Sequence, residues 1–414
     1  MSNYSLSRTA YRRWAMILGT VLGLLTLAFV LHARTRPLST GKSHLFIFNG
    51  QGQQRGTISE INETGPNGSE TRIKYSDGDH SLEVRAKESL EFTEDDADIK
   101  SISRGGYLMV QEQRGSASRR LEVRAGADGQ PQRSYFVQGQ ARALDQEARS
   151  WMAEVLPDVI RNSAIGARAR VRRIYRQRGA GGVLDEISLI KSDGAKHIYF
   201  RELLSNGNLD AGLLRRAAQQ AAREIHSDGE KANLLIESAD LYLGNERVAP
   251  AFFEAIGSIH SDGEHRRVLS SILKRSLGDE NVLRVLKSAR AISSDGEKAS
   301  LLVQHTGVFL NHSSSMPTLF DTINSLQSDG EHARVLTALL KRQELGRENM
   351  LRVLRSAERI SSDGEKANVL VHAARVYASD ATALSAISES ARTINSDGEK
   401  QRVLSAVMRQ GQRP

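Results

Sequence analysis

Apolar residues are arranged along this chain in three successive ways, and each predicts a different kind of element. From Trp14 to Leu31 the run WAMILGTVLGLLTLAFVL holds eighteen residues without a charge. At 1.5 Å per helical residue that is about 27 Å, close to the hydrocarbon thickness of a bilayer, so a transmembrane helix is expected. After Pro37 the pattern shortens to alternating segments: Leu45 to Phe48, Thr71 to Tyr75, Ser81 to Arg85, Tyr107 to Gln111, Arg120 to Arg124 and Ser134 to Val137. The separators NGQGQQRG, GPNGSE, SDGD, RGG and GADGQ supply turn residues, and the alternation predicts a small antiparallel sandwich or barrel of about 95 residues, wet on one face. Helical spacing follows at 143 to 162, with Trp151, Val155 and Ile160 on the apolar side.

The rest of the chain is organised by a returning tetrapeptide. Ser-Asp-Gly-Glu begins at Ser227, Ser261, Ser294, Ser328, Ser362 and Ser396, after a degenerate Ser192-Asp-Gly-Ala, at intervals of 33 to 35 residues. Such a period predicts stacked two-helix units. Ser at the helix N-cap accepts from a free main-chain amide, and Glu three residues on is placed to bond back. Ser227, Glu230, Ser261, Glu264, Ser294, Glu297, Ser328, Glu331, Ser362, Glu365, Ser396 and Glu399 are therefore read as helix-capping pairs. Asp at the first helical position favours the positive end of the macrodipole. An apolar pair follows seven and eight residues after each Ser, as in Val268-Leu269 and Val369-Leu370, and faces the core. A second helix is expected near GDENVLRVLKSARAI at 278 to 292 and its match GRENMLRVLRSAERI at 346 to 360. These lie 68 residues apart, and His265 and His332 alternate with Lys after the box, so pairs of repeats form a longer period. Both histidines are expected as solvated residues at helix starts, since no second ligand lies at i+4.

The fold class expected is α+β and membrane-anchored. It comprises a cytoplasmic tail at 1–13, a transmembrane helix at 14–33, a linker at 34–43, an antiparallel β domain at 44–138, basic connecting helices at 139–191 and an α-solenoid at 192–414. A cleaved signal peptide is the competing reading of the span, but cleavage after Ala33 would put Leu31 at the −3 position. Arg8, Arg12 and Arg13 precede the span and Arg34, Arg36 and Lys42 follow it, so charge bias gives no margin. The short basic tail favours a cytoplasmic N-terminus, which places the C-terminal region in the periplasm of an inner-membrane protein. Gly19 and Gly23 have the GxxxG spacing of a transmembrane dimer face, with ordinary glycine usage as the alternative.

Charge and chemistry change this picture little. The net charge is +8, but the first 36 residues carry five arginines and no acid. A helix at GARARVRRIYRQRG carries Arg168, Arg170, Arg172, Arg173, Arg176 and Arg178, which could touch an anionic partner or stand in water on a packed helix. The chain has no cysteine, which excludes disulfides, thiol nucleophiles and Cys-ligated zinc. Gly50, Gly52 and Gly56 lack the helix that a dinucleotide site needs, and the acidic run Glu94, Asp95, Asp96 and Asp98 lacks the spacing of a calcium loop. With no nucleophile elbow, HExxH or P-loop, no catalytic, cofactor or metal residue is assigned.

The SDGE boxes with their apolar pair, the segment DIKSISRGGYLMVQEQRG and YFRELL at 199 to 204 resemble the extracytoplasmic C-terminal regions of BlaR-like membrane metallopeptidases and related stand-alone bacterial envelope proteins. That group more often has an aromatic residue where this chain has Gly in the box. Without HExxH, no peptidase activity carries over. The resemblance implies an envelope-facing sensory or binding module. The expected function is a non-enzymatic scaffold whose repeat array binds a protein or peptide, with a homodimer through the span as an accompanying possibility. A ligand-sensing component of a signalling system, a cytoplasm-facing nucleic-acid-binding solenoid and an unrecognised hydrolase are the alternatives, and no cofactor is expected.

Overall fold

Alternation along the chain becomes an all-antiparallel meander. The computed structural model describes residues 40–48, 54–65, 68–206, 208–342 and 345–411. The strands are β1 (Thr40–Phe48), β2 (Gln54–Gly65), β3 (Gly68–Asp77), β4 (His80–Lys87), β5 (Leu90–Phe92), β6 (Ile99–Ile102), β7 (Tyr107–Arg114), β8 (Ala117–Ala125), β9 (Pro131–Val137) and β10 (Gln140–Arg142). Eight of them form one sheet in the order β1-β2-β3-β4-β7-β8-β9-β10, and β5 pairs with β6 as a separate ribbon. Two-residue hairpins set the register. Asp77 lies opposite His80 and Arg114 opposite Ala117, and in each loop a glycine comes first, Gly78 at φ 56° and Gly115 at φ 55°. Glycine takes that conformation at no steric cost.

Neither a sandwich nor a barrel results. The inner face of the sheet is covered by helix α1 (Gln146–Ser163) and the β5–β6 ribbon, so a helix does the work of a second sheet. Val84, Leu108, Val110, Leu121, Val123 and Tyr135 pack there with Trp151, Met152, Leu156 and Ile160. At about 1.5–3 kcal/mol per buried large side chain, this one core dominates the unit's stability. Its polar member is Glu112, only 7% exposed, which accepts from Trp151 Nε1 at 2.8 Å, His80 Nε2 at 2.9 Å and Arg114 Nε at 2.9 Å. Burial raises its pKa, but these three donors outweigh burial and hold it below the ordinary carboxylate range. The acidic run at 94–98 is a turn: Asp95 accepts from Thr93 Oγ1 and the Ala97 amide, and Asp98 pairs with Arg133.

The chain divides into two compact units, with the boundary between Gly166 and Ala167. The stretch 139–191 is thus shared: α1 belongs to the β unit, and α2 (Ala167–Ile187, broken at Gly179) belongs to the second. Helices follow to the end of the described chain. Box helices are α3 (Asp193–Asn206), α5 (Asp228–Leu243), α7 (Asp262–Ile272), α9 (Asp295–Gln304), α12 (Asp329–Leu340), α14 (Asp363–Val376) and α16 (Asp397–Gly411). Between them lie α4 (Ala211–Glu224), α6 (Ala249–Gly257), α8 (Asp279–Ala289), the short α10 (Thr306–Leu310) with α11 (Met316–Ile323), α13 (Gly346–Ala357) and α15 (Ala381–Ser390). Each box helix packs on the next, and α4, α6, α8, α11, α13 and α15 form a second row.

The apolar pairs bury as their spacing requires, for example Val268 and Leu269 at 0% exposure. Another aliphatic position, two residues before each box Ser, is equally internal: Ile190, Ile225, Ile259, Ile292, Leu326, Ile360 and Ile394 are all buried. Among the described residues no helix is long and apolar enough to cross a membrane. The run Trp14 to Leu31, with Gly19 and Gly23, lies outside them.

Candidate partner-binding face of the helical array

Each box residue has a distinct fastening role. Ser Oγ caps its own helix, accepting from the Glu amide at 3.3–3.4 Å in all six SDGE boxes. The reciprocal half of the capping box does not form. Instead the Ser amide donates to the Asp carboxylate of the preceding box, at 2.6–2.8 Å, in six successive joints from Asp193–Ser227 to Asp363–Ser396. The residue before Ser donates to the same carboxylate, as His226 does to Asp193 and Gln327 to Asp295. The Asp expected to serve its own macrodipole therefore also ties one repeat to the next.

The Glu carboxylates are thereby released for other partners. Glu264, Glu331 and Glu399 pair with Arg267, Arg334 and Arg402, three residues on. Those arginines reach back to the preceding box helix: Arg267 to Asn233 Oδ1 at 2.9 Å, Arg334 to Ser300 Oγ at 3.2 Å and Arg402 to Asn368 Oδ1 at 3.0 Å. Arginine alternates with a short polar acceptor, so the clamp closes within a pair of repeats and explains the longer period.

The position after the box is internal, which corrects the expectation for its histidines. Lys231 donates to Ser258 O at 3.0 Å and Lys366 to Thr393 O at 3.1 Å, closing the end of the second helix of their own repeat. His265 and His332 are 2% and 3% exposed, and their Nε2 atoms lie 2.8 Å from Ser288 Oγ and Ser356 Oγ. Helix starts are solvated at Ser and Gly, but the fourth residue already turns under the second helix. Burial pushes both imidazoles down, His332 to about 4. His197 is the opposite case. Burial lowers its pKa, but bonds to Glu230 at 2.7 Å and Glu237 at 3.1 Å outweigh burial and raise it.

The arginine-rich helix is partly corrected too. Arg170 is buried and paired with Glu186 at 2.9 Å, both side chains 6% exposed, so it cannot meet a partner. Arg170 also donates to Tyr199 Oη at 3.2 Å and lies 5.9 Å from that ring's centre, so its charge is neutralised inside the packed helix pair. Arg178 also approaches Glu186 at 3.6 Å, and Arg168 approaches Glu202 at 3.9 Å. Arg172 and Arg176 are exposed and Arg173 is half-buried.

The outer surface of the box helices mixes exposed clamp residues with positions that vary from repeat to repeat. It holds a groove of about 530 Å³ crossing three consecutive box helices. Its floor is Val303, Ala333, Thr337 and Ala338, and its rim includes Arg334, Lys341, Glu365 and Asn368. The depression has a sequence cause. Ala338 stands ten residues after its box Ser, where the neighbouring repeats carry Gln304 and His372. His372 Nε2 is buried without a hydrogen-bond partner among the described residues, and burial with the nearby Lys341 and Arg375 cations lowers its pKa. Thirteen residues after the box Ser, Lys341, Arg375 and Arg409 are exposed in three consecutive repeats, so this end of α12, α14 and α16 is basic. No three His, Asp or Glu side chains gather as a metal site among the described residues. Sequence reasoning missed the groove, although a small residue at a position that is large in neighbouring repeats was its visible signal.

No protein-family model, no curated relative and no solved structure matches the chain.

Proposed function

We propose that this chain is a non-enzymatic scaffold of the bacterial envelope, held by a single span at Trp14 to Leu31, whose helical array takes a protein or peptide partner. The observation that carries this reading is the groove over α9, α12 and α14, an open depression on an array whose recurring polar residues are committed to capping, latching and pairing. A shallow, largely apolar floor with Lys341 at its rim suits an extended or helical peptide carrying small apolar side chains and an acidic residue. The resemblance to the extracytoplasmic regions of BlaR-like proteins supports the same placement outside the cytoplasm.

A photo-crosslinking residue at Thr337 tests the groove in intact cells. A discrete adduct is expected, lost when Ala338→Trp fills the floor and weakened by Lys341→Glu. Adducts unchanged by Ala338→Trp would remove the groove from the binding surface. Topology is tested separately with reporters fused after Pro414, one active only outside the cytoplasm and one fluorescent only inside it. An internal signal would overturn the envelope placement.

A further inference from the structure

The face of the β sheet turned away from α1 is a second interaction surface. Alternation sends Leu82, Val84 and Ala86 inward, so Glu83, Arg85 and Lys87 point out, and pairing with β3 and β7 carries that parity across the sheet. From Thr71 to Val137 the outward side chains include six cations, Arg72, Lys74, Arg85, Lys87, Arg120 and Arg124, against two carboxylates, Glu83 and Glu122. The four guanidinium side chains are 34–66% exposed even though Glu83 and Glu122 thread between them. Arg120 lies 4.3 Å over the Phe136 ring and Arg124 lies 4.5 Å over Tyr107.

The geometry points to an anionic phospholipid surface as the occupant. The cations spread in two dimensions over three of the five strands, β3, β4 and β8, about 5 Å apart between β3 and β4, about 10 Å apart from β4 to β8 and about 7 Å or more apart along a strand, which matches a plane of headgroups rather than a single strand. A nucleic-acid strand would need open ring faces for its bases, and here both outward rings are capped by guanidinium groups. The uncharged run ends at Leu31 and β1 begins at Thr40. Nine residues reach at most about 30 Å, so a unit tethered there stays within reach of headgroups. This last argument rests on the proposed span; the charge pattern does not.

The test uses the full chain reconstituted in vesicles. Because the chain has no cysteine, Ser134→Cys on this face and Ser276→Cys on the array can each carry a single fluorophore, read by brominated-lipid quenching. Quenching at position 134 is expected in phosphatidylglycerol vesicles, absent in phosphatidylcholine vesicles and lost at high salt, with position 276 unmoved. Neutralising Arg72, Lys74 and Arg124 to Gln should lower the docked-to-free ratio about 5-fold per residue, whereas Arg72→Lys with Arg124→Lys should retain it. Equal quenching in both lipids, or a triple variant that melts like the parent and quenches like it, would overturn the proposal. Salt-sensitive capture of a labelled single-stranded oligonucleotide, lost in the same triple variant, would also overturn it by assigning the face to nucleic acid. Release of the chain by alkaline wash would remove the span, yet lipid-dependent quenching at low salt would still support the face.

Discussion

The two units hold successive elements in register by different means. In the β unit the main chain does it: each strand pairs with the next through ladder bonds, and the side chains divide into an apolar inner face and a charged outer one. In the array the helices satisfy their own backbones, so side chains must make the joints. Asp, Lys, His and Arg reach from one helix to the main chain or side chains of another at nearly every step. One unit therefore depends on a single core, while the other depends on a series of similar local contacts. Damage should spread in the first and stay local in the second.

The largest expected effect is on the core. Trp151→Ala removes a 3% exposed ring and leaves Glu112 without one of its three donors. It should cost about 3–5 kcal/mol and melt the β unit while the array's calorimetric transition stays in place. A shift of both transitions together would erase the contrast. Next is a joint of the array. Asp295→Ala leaves the Gln327 and Ser328 amides without their acceptor. A loss of about 2–3 kcal/mol is expected, with faster amide exchange at 327 and 328 and none at Ser227.

Acid should act on the array in the same way. An unfolded imidazole protonates near its ordinary value of 6.5, but His332 folds with a value of about 4. Between those values the unfolded chain binds more protons, so stability falls as pH drops, by about 2–3 kcal/mol between pH 7 and 4 at about 1.4 kcal/mol per pH unit. His197 has the opposite sign: its raised value stabilises the fold below about pH 6.5, and that contribution is lost as pH rises through its folded value. Melting His332→Leu across pH 7 to 4 should show a flatter profile than the parent. The smallest effect is at the pair clamp. Arg334→Ala loses exposed bonds to Ser300 and Glu331, worth about 0.5–1 kcal/mol. A double-mutant cycle with Ser300→Ala should recover a coupling energy that is absent between Arg334 and Asn368.

Much of this architecture is legible in the sequence because its signals are local. Alternation in SLEVR and LEVRA, and a Ser-Asp-Gly-Glu box ahead of an apolar pair, each specify an element within ten residues. All six strand segments named from alternation lie within observed strands. β2 was not legible, since GTISEINETG is polar on both faces and declares itself only through pairing with β1 and β3. The closure of the sheet was misread because nothing in α1 says that it covers strands rather than helices. The box illustrates the same limit. Its Ser cap could be read from spacing, but Asp295 and Ser328 are 33 residues apart, and whether a carboxylate serves its own helix or its neighbour's is decided by stacking. The burial of His265 and His332 is hidden for the same reason, as is the groove, which exists only where three helices lie side by side.

The Asp joint has one further consequence. It is written with the same atoms from Asp193 to Asp363 and always points the same way along the chain. A coding segment for one pair of repeats, copied or deleted by unequal recombination at the 68-residue period, rejoins a familiar carboxylate to a familiar amide and leaves every arginine beside its short acceptor. Loss of a 34-residue segment would instead leave one arginine without its short acceptor, or one acceptor without its arginine. Array length is therefore a trait this protein can change in whole pairs without a compensating substitution at the seam.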